Sequence, residues 1–322
     1  MIRLDISKQP DQNWNSRLLH SSMGNIYQTM EFSQYVQKTT GKKPFFLKFL
    51  NESDEIVAQL LLTKYSLLSN QNFARKIIKN ILGIKEILRW RYGPIIFNKN
   101  YVHEVYSELQ KFLLTQKIKI KGTETPFHNN FNIQWGKSFI SETWATFLID
   151  LCKPKDSIWN DMEKHSVRKN IQRSQKRGVE VREMQDSDLP QYFEMLQETK
   201  RNVGVEINYD ELAILWKTLN SIGMTGFLAF KEKQPISGIL ITAFNGLINE
   251  WGVARTNFDY ENKLYSQDFI KWKIIEWGIE KGCKYYDLTG VNPNPKSSKE
   301  EGILKYKKKW GGLQKDYWKI SG

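Results

Sequence analysis

The same order of elements is written twice along this 322-residue chain. Pro44 to Leu50 and Ile56 to Tyr65 read as two strands around the turn Asn51-Glu52-Ser53-Asp54-Glu55, and Leu88 to Phe97 as a third. Val102 to Gln116 then carries helical periodicity at Val102, Val105, Leu109, Phe112 and Leu113, and Ile118 to Gly122 is strand-like. In the second half, Gly226 to Lys231 and Ile236 to Phe244 predict a hairpin, and Leu247 to Ala254 the next strand. Tyr265 to Lys281 reads as a helix with Phe269, Trp272, Ile275 and Ile279 on its apolar stripe, and Lys284 to Leu288 as the strand after it. A hairpin, a strand, a long helix and a strand in each half predict two similar domains of α/β class, residues 1–152 and 153–322. The joint falls near residues 145–160, where Trp144 to Leu151 predicts a connecting strand and Lys153-Pro154-Lys155-Asp156 breaks it.

A different segment follows the joint. Ser157 to Lys176 predicts one helix, with Ile158, Met162, Val167 and Ile171 towards its buried side. From Lys164 through Arg177 there is no acidic residue, and Lys164, Arg168, Lys169, Arg173, Lys176 and Arg177 crowd the other faces. Gly178 ends that helix, Val179 to Arg182 begins a strand, and Asp188 to Val203 predicts a further helix.

Forty-eight basic against 35 acidic residues give a net charge of +13, which favours an anionic partner without saying which. No stretch approaches the roughly twenty apolar residues of a membrane span. The start, Met1-Ile2-Arg3-Leu4-Asp5, lacks the apolar core of a secretory signal, so a cytoplasmic protein is expected. Two cysteines, Cys152 and Cys283, and four dispersed histidines give neither a disulfide framework nor a zinc ligand set.

Covalent chemistry has no support in the sequence. There is no Gly-x-Ser-x-Gly elbow and no triphosphate-binding loop, and Gly290-Val291-Asn292 lacks the spaced glycines of a dinucleotide site. One reaction class needs none of these. An amine attacking an activated ester or thioester requires orientation, loss of a proton and support for a developing oxyanion. The end of the chain offers a place for it: Tyr285-Tyr286-Asp287-Leu288-Thr289-Gly290-Val291 is an apolar strand running into a glycine turn. A Pro-Asn-Pro loop and the cationic run Gly302-Ile303-Leu304-Lys305-Tyr306-Lys307-Lys308-Lys309-Trp310-Gly311-Gly312 follow. Backbone N–H groups and ammonium groups converging on one anion are what phosphate-bearing ligands favour.

Two of these motifs, one of them the stretch Lys164-His165-Ser166-Val167-Arg168-Lys169-Asn170-Ile171-Gln172-Arg173-Ser174-Gln175-Lys176-Arg177-Gly178-Val179, resemble the Fem-type aminoacyltransferases that build peptidoglycan interpeptide bridges. They are the basic helix with its glycine, and Tyr286 to Val291 followed by Gly302 to Gly312. The early Asn25-Ile26-Tyr27-Gln28-Thr29-Met30-Glu31-Phe32 resembles that family's N-terminal substrate segment. The resemblance implies tandem acetyltransferase-like (GNAT-like) domains with central mixed sheets flanked by helices, in a compact form without the family's helical arm. It also implies transfer of an amino acid from aminoacyl-tRNA to an amine on a phosphate-bearing cell-wall precursor. A monomer without cofactor or metal is expected, and the positive charge allows peripheral contact with an anionic membrane surface. Acyltransferases using acyl-CoA or acyl carrier protein share the motifs, and a basic RNA-binding module would share the charge.

By this resemblance Lys307 falls at the lysine associated with the precursor's phosphate or the reacting carbonyl. Lys305 accompanies it on one side if the segment is extended and parts from it if helical. Arg168 and Arg173 are expected to clamp phosphates through their planar forks, with Lys169 as a point charge. Asp287 either takes the proton of the attacking amine or fixes the Gly290 turn by accepting backbone N–H bonds. Tyr306 is placed at the cleft, and Arg255 and Tyr260, just after the third strand of the second half, are placed against donor or acceptor.

Overall fold

A computed structural model of the protein describes residues 2–66, 86–127, 133–202 and 204–322. The chain divides into two compact units, Met1–Trp144 with Asp316–Gly322, and Ala145–Lys315.

In the first unit β1 (Arg3–Ser7), β2 (Phe45–Leu50), β3 (Ile56–Ser66) and β4 (Glu86–Arg89) form an antiparallel run. Helices α1 (Trp14–Leu19) and α2 (Met30–Thr40) lie between β1 and β2 in sequence. The short β5 (Ile95–Ile96) pairs with β3, and α3 (Val102–Thr115) leads to β6 (Lys119–Thr123), which runs parallel to β4. The chain's last residues, Lys319–Ser321, pair antiparallel with Thr123–Lys121. Phe46, Leu47, Phe49 and Leu60 are all buried; Phe46 and Leu47 are neighbours on opposite faces, so β2 is covered on both sides, and Trp14 meets Phe46 edge to face at 4.8 Å. Each such buried side chain stabilises the fold by roughly 1.5–3 kcal/mol.

The single strand expected over Leu88 to Phe97 is two strands instead. Tyr92 adopts φ +46, and the loop's N–H groups turn to β6: Trp90 donates to Lys121 O at 3.1 Å and Gly93 to Thr123 O at 3.1 Å. Those bonds replace the ladder that a continuous strand would make.

In the second unit the strand order is β7, β12, β11, β10, β9, β8. These are β7 (Ile140–Asp150, entering from the first unit), β8 (Val179–Glu183), β9 (Met224–Lys231), β10 (Gln234–Phe244), β11 (Leu247–Arg255) and β12 (Tyr285–Val291). Both tight turns of the β9–β10–β11 meander carry two residues at positive φ: Glu232 and Lys233, then Asn245 and Gly246. That is the twist-matched two-residue hairpin turn, and Asn-Gly is its strongest sequence signal. Helices α6 (Leu189–Arg201) and α7 (Tyr209–Leu219) follow β8, and the Val203 end of the helix expected there lies outside the described residues. Between β11 and β12 come α8 (Asn257–Glu261) and α9 (Ser266–Glu280). The latter buries Phe269, Ile270, Trp272, Ile274 and Ile275 against α5 (Lys169–Lys176), β9 and β10.

The helix expected over Ser157 to Lys176 is broken. After α4 (Lys155–Asp161), Met162 and Glu163 are extended, with ψ 145 and 120, and one wide turn at Lys164–Arg168 precedes α5. The end of α10 (Ser298–Lys308) supplies the reason. Lys309 O accepts from Glu163 N at 2.9 Å, and a Cβ on Gly311, at φ +73, would stand 2.5 Å from Asp161 O. Only glycine fits that approach. At the other end of α5, Gly178 takes φ +69 and ends the helix where expected. No helix among the described residues is long and apolar enough to cross a membrane.

Candidate active site

Strands β11 and β12 run parallel but pair only from Leu247–Asn249 to Tyr285–Asp287. Beyond that point β11 stays on β10 and β12 stays on β7, its partner from Tyr285 to Val291, and a wedge opens between β11 and β12. A register shift between Leu240 and Ile241 makes Trp251 the extra residue of β11, and its indole N–H donates to Thr242 Oγ1 at 2.8 Å.

Asp287 closes the paired end of the wedge and is fully buried. Its carboxylate accepts from Thr289 N at 2.7 Å, from Asn249 Nδ2 at 3.0 Å and from the Thr146 hydroxyl. These bonds hold a turn in which Thr289 takes φ +64, a conformation a β-branched residue pays for in strain. They are the turn-fixing contacts that the sequence left as one of two alternatives for Asp287.

Lys307 reaches the same turn from α10. Its Nζ donates to Thr289 O at 3.1 Å, Thr289 Oγ1 at 3.2 Å and Gly290 O at 3.2 Å. All three acceptors are neutral oxygens. Burial lowers the Lys307 pKa to about 8, the Lys271 ammonium adds to the fall, and the Glu250 and Asp287 carboxylates oppose it. The segment is helical, so Lys305, two residues earlier and exposed, sits on another side of α10 from Lys307.

Glu250 and Lys271 were not singled out in the sequence. Lys271 Nζ and the Tyr286 hydroxyl both donate to Glu250 Oε1, with the lysine side chain 6% and the glutamate 11% exposed. Burial first, and the Glu250 carboxylate next, push the Tyr286 phenol well above its usual range. A signal was available: Lys271 stands inside Phe269-Ile270-Lys271-Trp272, and Glu250 interrupts an apolar strand. Charges so placed are buried and paired far more often than idle.

Tyr306 turns its hydroxyl inward, donating to Asp268 Oδ1 at 3.0 Å, while its ring leaves the residue 37% exposed. Asn170 on α5 donates to Asp268 Oδ2 at 2.8 Å, which ties the basic helix to α9. Burial raises the Asp268 pKa, against these hydrogen bonds and the Lys271 and Arg255 charges. Arg255 itself is bonded through Nε to the buried Asp259 and lies 5.0 Å from the ring of Tyr260, which is 69% exposed.

The structure thus brings Lys307, Asp287, Tyr306 and Arg255 into one electrostatic neighbourhood on β11, β12, α9 and α10. The basic helix turns its cations elsewhere. Arg168 Nη1 donates to Asn160 Oδ1 at 3.0 Å, the Arg173 guanidinium lies 5.8 Å from the Tyr265 ring, and Lys169 is exposed. Among the described residues no group of three or more His, Cys, Asp or Glu side chains is placed to hold a metal ion.

Mixed sheets flanked by helices, with parallel strands that splay around a β-bulge, define a tandem acetyltransferase-like fold. Among solved structures, FemX superposes with a TM-score of 0.69 at 13% identity, over 98% of this chain and 96% of that one. L-PGS from Bacillus licheniformis gives 0.57 at 10% identity over 98% and 93%. A tandem GNAT protein from the clavulanic acid biosynthesis pathway gives 0.55 at 7% identity over 100% and 98%. The fold implied by the Fem-type motifs is therefore the fold observed. No family model and no curated protein sequence matches the chain.

Proposed function

We propose that the protein is an aminoacyltransferase that moves an aminoacyl group from aminoacyl-tRNA to an amine of a nucleotide- or lipid-linked cell-wall precursor. The observation that carries this reading is the desolvated Lys307 ammonium, anchored on the strained Thr289 turn beside the opening between β11 and β12. The acceptor nitrogen attacks the ester carbonyl, the carbonyl oxygen takes the negative charge, and the ester C–O bond then breaks. One amine proton leaves with the ribose oxygen. Ester and amine become amide and alcohol with no bond to the enzyme.

In this reading Lys307 is the group that neutralises the oxyanion, which a cation does far better away from bulk water. Asp287 holds Thr289, and so Lys307, in place. Tyr306, Arg255 and Tyr260 border the substrates, and Arg168, Lys169, Arg173 and Lys305 supply positive potential for a phosphate-bearing acceptor or the end of the tRNA. The two-domain assignment of 1–152 and 153–322, a cytoplasmic location and a monomeric state complete the proposal.

The wedge between β11 and β12 favours a second reading, an N- or O-acyltransferase taking acyl-CoA or an acyl carrier protein. Incubation with charged tRNA or acyl-CoA and candidate amine acceptors, with mass detection of the product, separates the two. An added aminoacyl mass that appears only with charged tRNA, and not with Lys307→Ala, is the expected result. Acyl transfer from CoA alone would establish the second reading, and tRNA binding without transfer to any acceptor would leave an RNA-binding protein.

A further inference from the structure

Helix α10, which carries Lys307, has little apolar packing to hold it in place. None of its eleven residues is buried; Ile303 is exposed, and Leu304 is a half-buried neighbour of the core. A surface helix is ordinarily fixed by a buried apolar stripe. Here polar contacts set its position.

Successive residues of an α-helix stand about 100° apart around its axis. Tyr306 and Lys307 therefore anchor α10 on two adjoining sides. Lys307 Nζ reaches Thr289 on β12, and the Tyr306 hydroxyl donates to Asp268 Oδ1 on α9 at 3.0 Å. A helix tied at two such points cannot turn about its axis without breaking one of them. Burial first, then the Asp268 and Glu250 carboxylates, raise the Tyr306 phenol well above its usual range, so it remains a donor at neutral pH.

Asp268 lies in the first turn of α9, where the helix dipole favours a carboxylate, and is 7% exposed. Its other oxygen, Oδ2, accepts from Asn170 Nδ2 on α5 at 2.8 Å. Both of these donors are neutral, so directional hydrogen bonds set the arrangement. A second connection joins α5 and α10. Glu163 N, just before the wide turn that leads into α5, donates to Lys309 O at 2.9 Å. The basic helix and the Lys307 helix are thus coupled twice, once through backbone and once through a buried carboxylate.

We infer that Asp268 is a positioning residue: by accepting from Tyr306 on one oxygen and from Asn170 on the other, it locks the rotation of α10 to α5 and keeps Lys307 on the Thr289 turn. Its effect on turnover rests on the transfer reaction proposed above; the placement of Lys307 does not. Without the tie α10 is free to turn, and the Lys307 ammonium leaves its desolvated site for water.

The test follows Lys307 itself. Competitive acetylation of the folded full chain over a pH series, read by mass spectrometry of the Lys307 peptide, titrates that one amine. In the parent it should titrate near 8, with burial and Lys271 lowering the value and Glu250 and Asp287 raising it. Tyr306→Phe removes a neutral hydroxyl and none of those influences, yet Lys307 should titrate well above 8 as it gains solvent. Asp268→Ala should do the same, and Asn170→Ala should do so in part. Asp268→Asn, whose amide oxygen still accepts from Tyr306, should stay close to the parent. Tyr306 and Asn170 are both partly open to solvent, so their variants should melt with the parent. Labelling of the exposed Lys305 and Lys308 should be unchanged throughout. In the transfer assay, Tyr306→Phe should lower kcat about tenfold in the parent and hardly at all in Lys307→Ala. Parent-like titration of Lys307 in folded Tyr306→Phe or folded Asn170→Ala, or an equal loss of kcat in both backgrounds, would overturn the inference. A shifted Lys307 in a chain that transfers nothing would uphold the positioning and remove the aminoacyl-transfer reading.

Discussion

Lys307 Nζ donates to both the carbonyl oxygen and the hydroxyl of Thr289, at 3.1 and 3.2 Å, and Thr289 is held at φ +64 to receive it. A lysine on a helix and a strained turn on a strand thus fix one another, with Asp287 bracing the turn from beneath through Thr289 N.

Replacing Lys307 with alanine should lower kcat by about 10²–10³-fold, the usual cost of removing an oxyanion donor, with KM and melting temperature changing little. Because its pKa is lowered to about 8, the catalytically useful ammonium is lost as pH rises through that value. The parent's kcat should therefore have a falling limb near pH 8. A flat profile from pH 7 to 9, or a kcat in Lys307→Ala equal to the parent's, would remove Lys307 from the chemistry.

Thr289→Gly relieves left-handed strain of roughly 1 kcal/mol and loses the hydroxyl that accepts from Lys307. Urea denaturation should show stability equal to or slightly above the parent's, with turnover about tenfold lower. Loss of stability and full activity together would contradict the role given to this turn.

The Glu250–Lys271 pair is buried, so removing one partner strands the other. Lys271→Met should cost about 3–5 kcal/mol in chemical denaturation. Glu250→Gln with Lys271→Met should cost less than the two single changes added together, a coupling that a double-mutant cycle measures directly. Additive losses would show that the two charges are not a unit.

Glu124, 4% exposed, accepts from Trp135 Nε1 at 3.1 Å, and burial raises its pKa from 4.5 to about 7. The folded state binds this proton more tightly than the unfolded chain. Its contribution is complete below about pH 4.5 and is lost as pH rises through about 7, on the order of 3 kcal/mol across the window. Glu124→Gln should flatten that part of the stability curve and gain relative to the parent at pH 8. A parent-like slope in the variant would reassign it to other groups.

Arg173 on the basic helix is exposed and meets the Tyr265 ring face rather than an acid. Arg173→Gln should weaken binding of an anionic substrate such as tRNA several-fold at low salt, the difference shrinking as salt rises. Equal affinity at low salt would end its clamp role.

Turn and strand residues were the most legible part of the site. Tyr286-Asp287-Leu288-Thr289-Gly290 reads as a strand running into a turn because apolar spacing and glycine are local signals; the strand instead runs on through Val291, and the kink is a bulge at Leu288 and Thr289 within it. The pairing of Glu250 with Lys271 was not legible, since the two stand on different elements and meet only when α9 packs beside β11. The break at Met162 and Glu163 was missed for a similar reason. Helical periodicity runs on through both residues, and the bond from Glu163 N to Lys309 O comes from nearly 150 positions away.

By itself the sequence determined the doubled α/β order and most element positions, because side-chain periodicity, Asn-Gly and helix-ending glycines act within a few residues. It also set the excess of positive charge. Only the tertiary structure decided which cations matter. Burial and partners are properties of packing, and packing leaves Lys305 in solvent, puts Lys307 on the Thr289 turn, and sets Arg89 and Arg91 against the rings of Tyr65 and Tyr27.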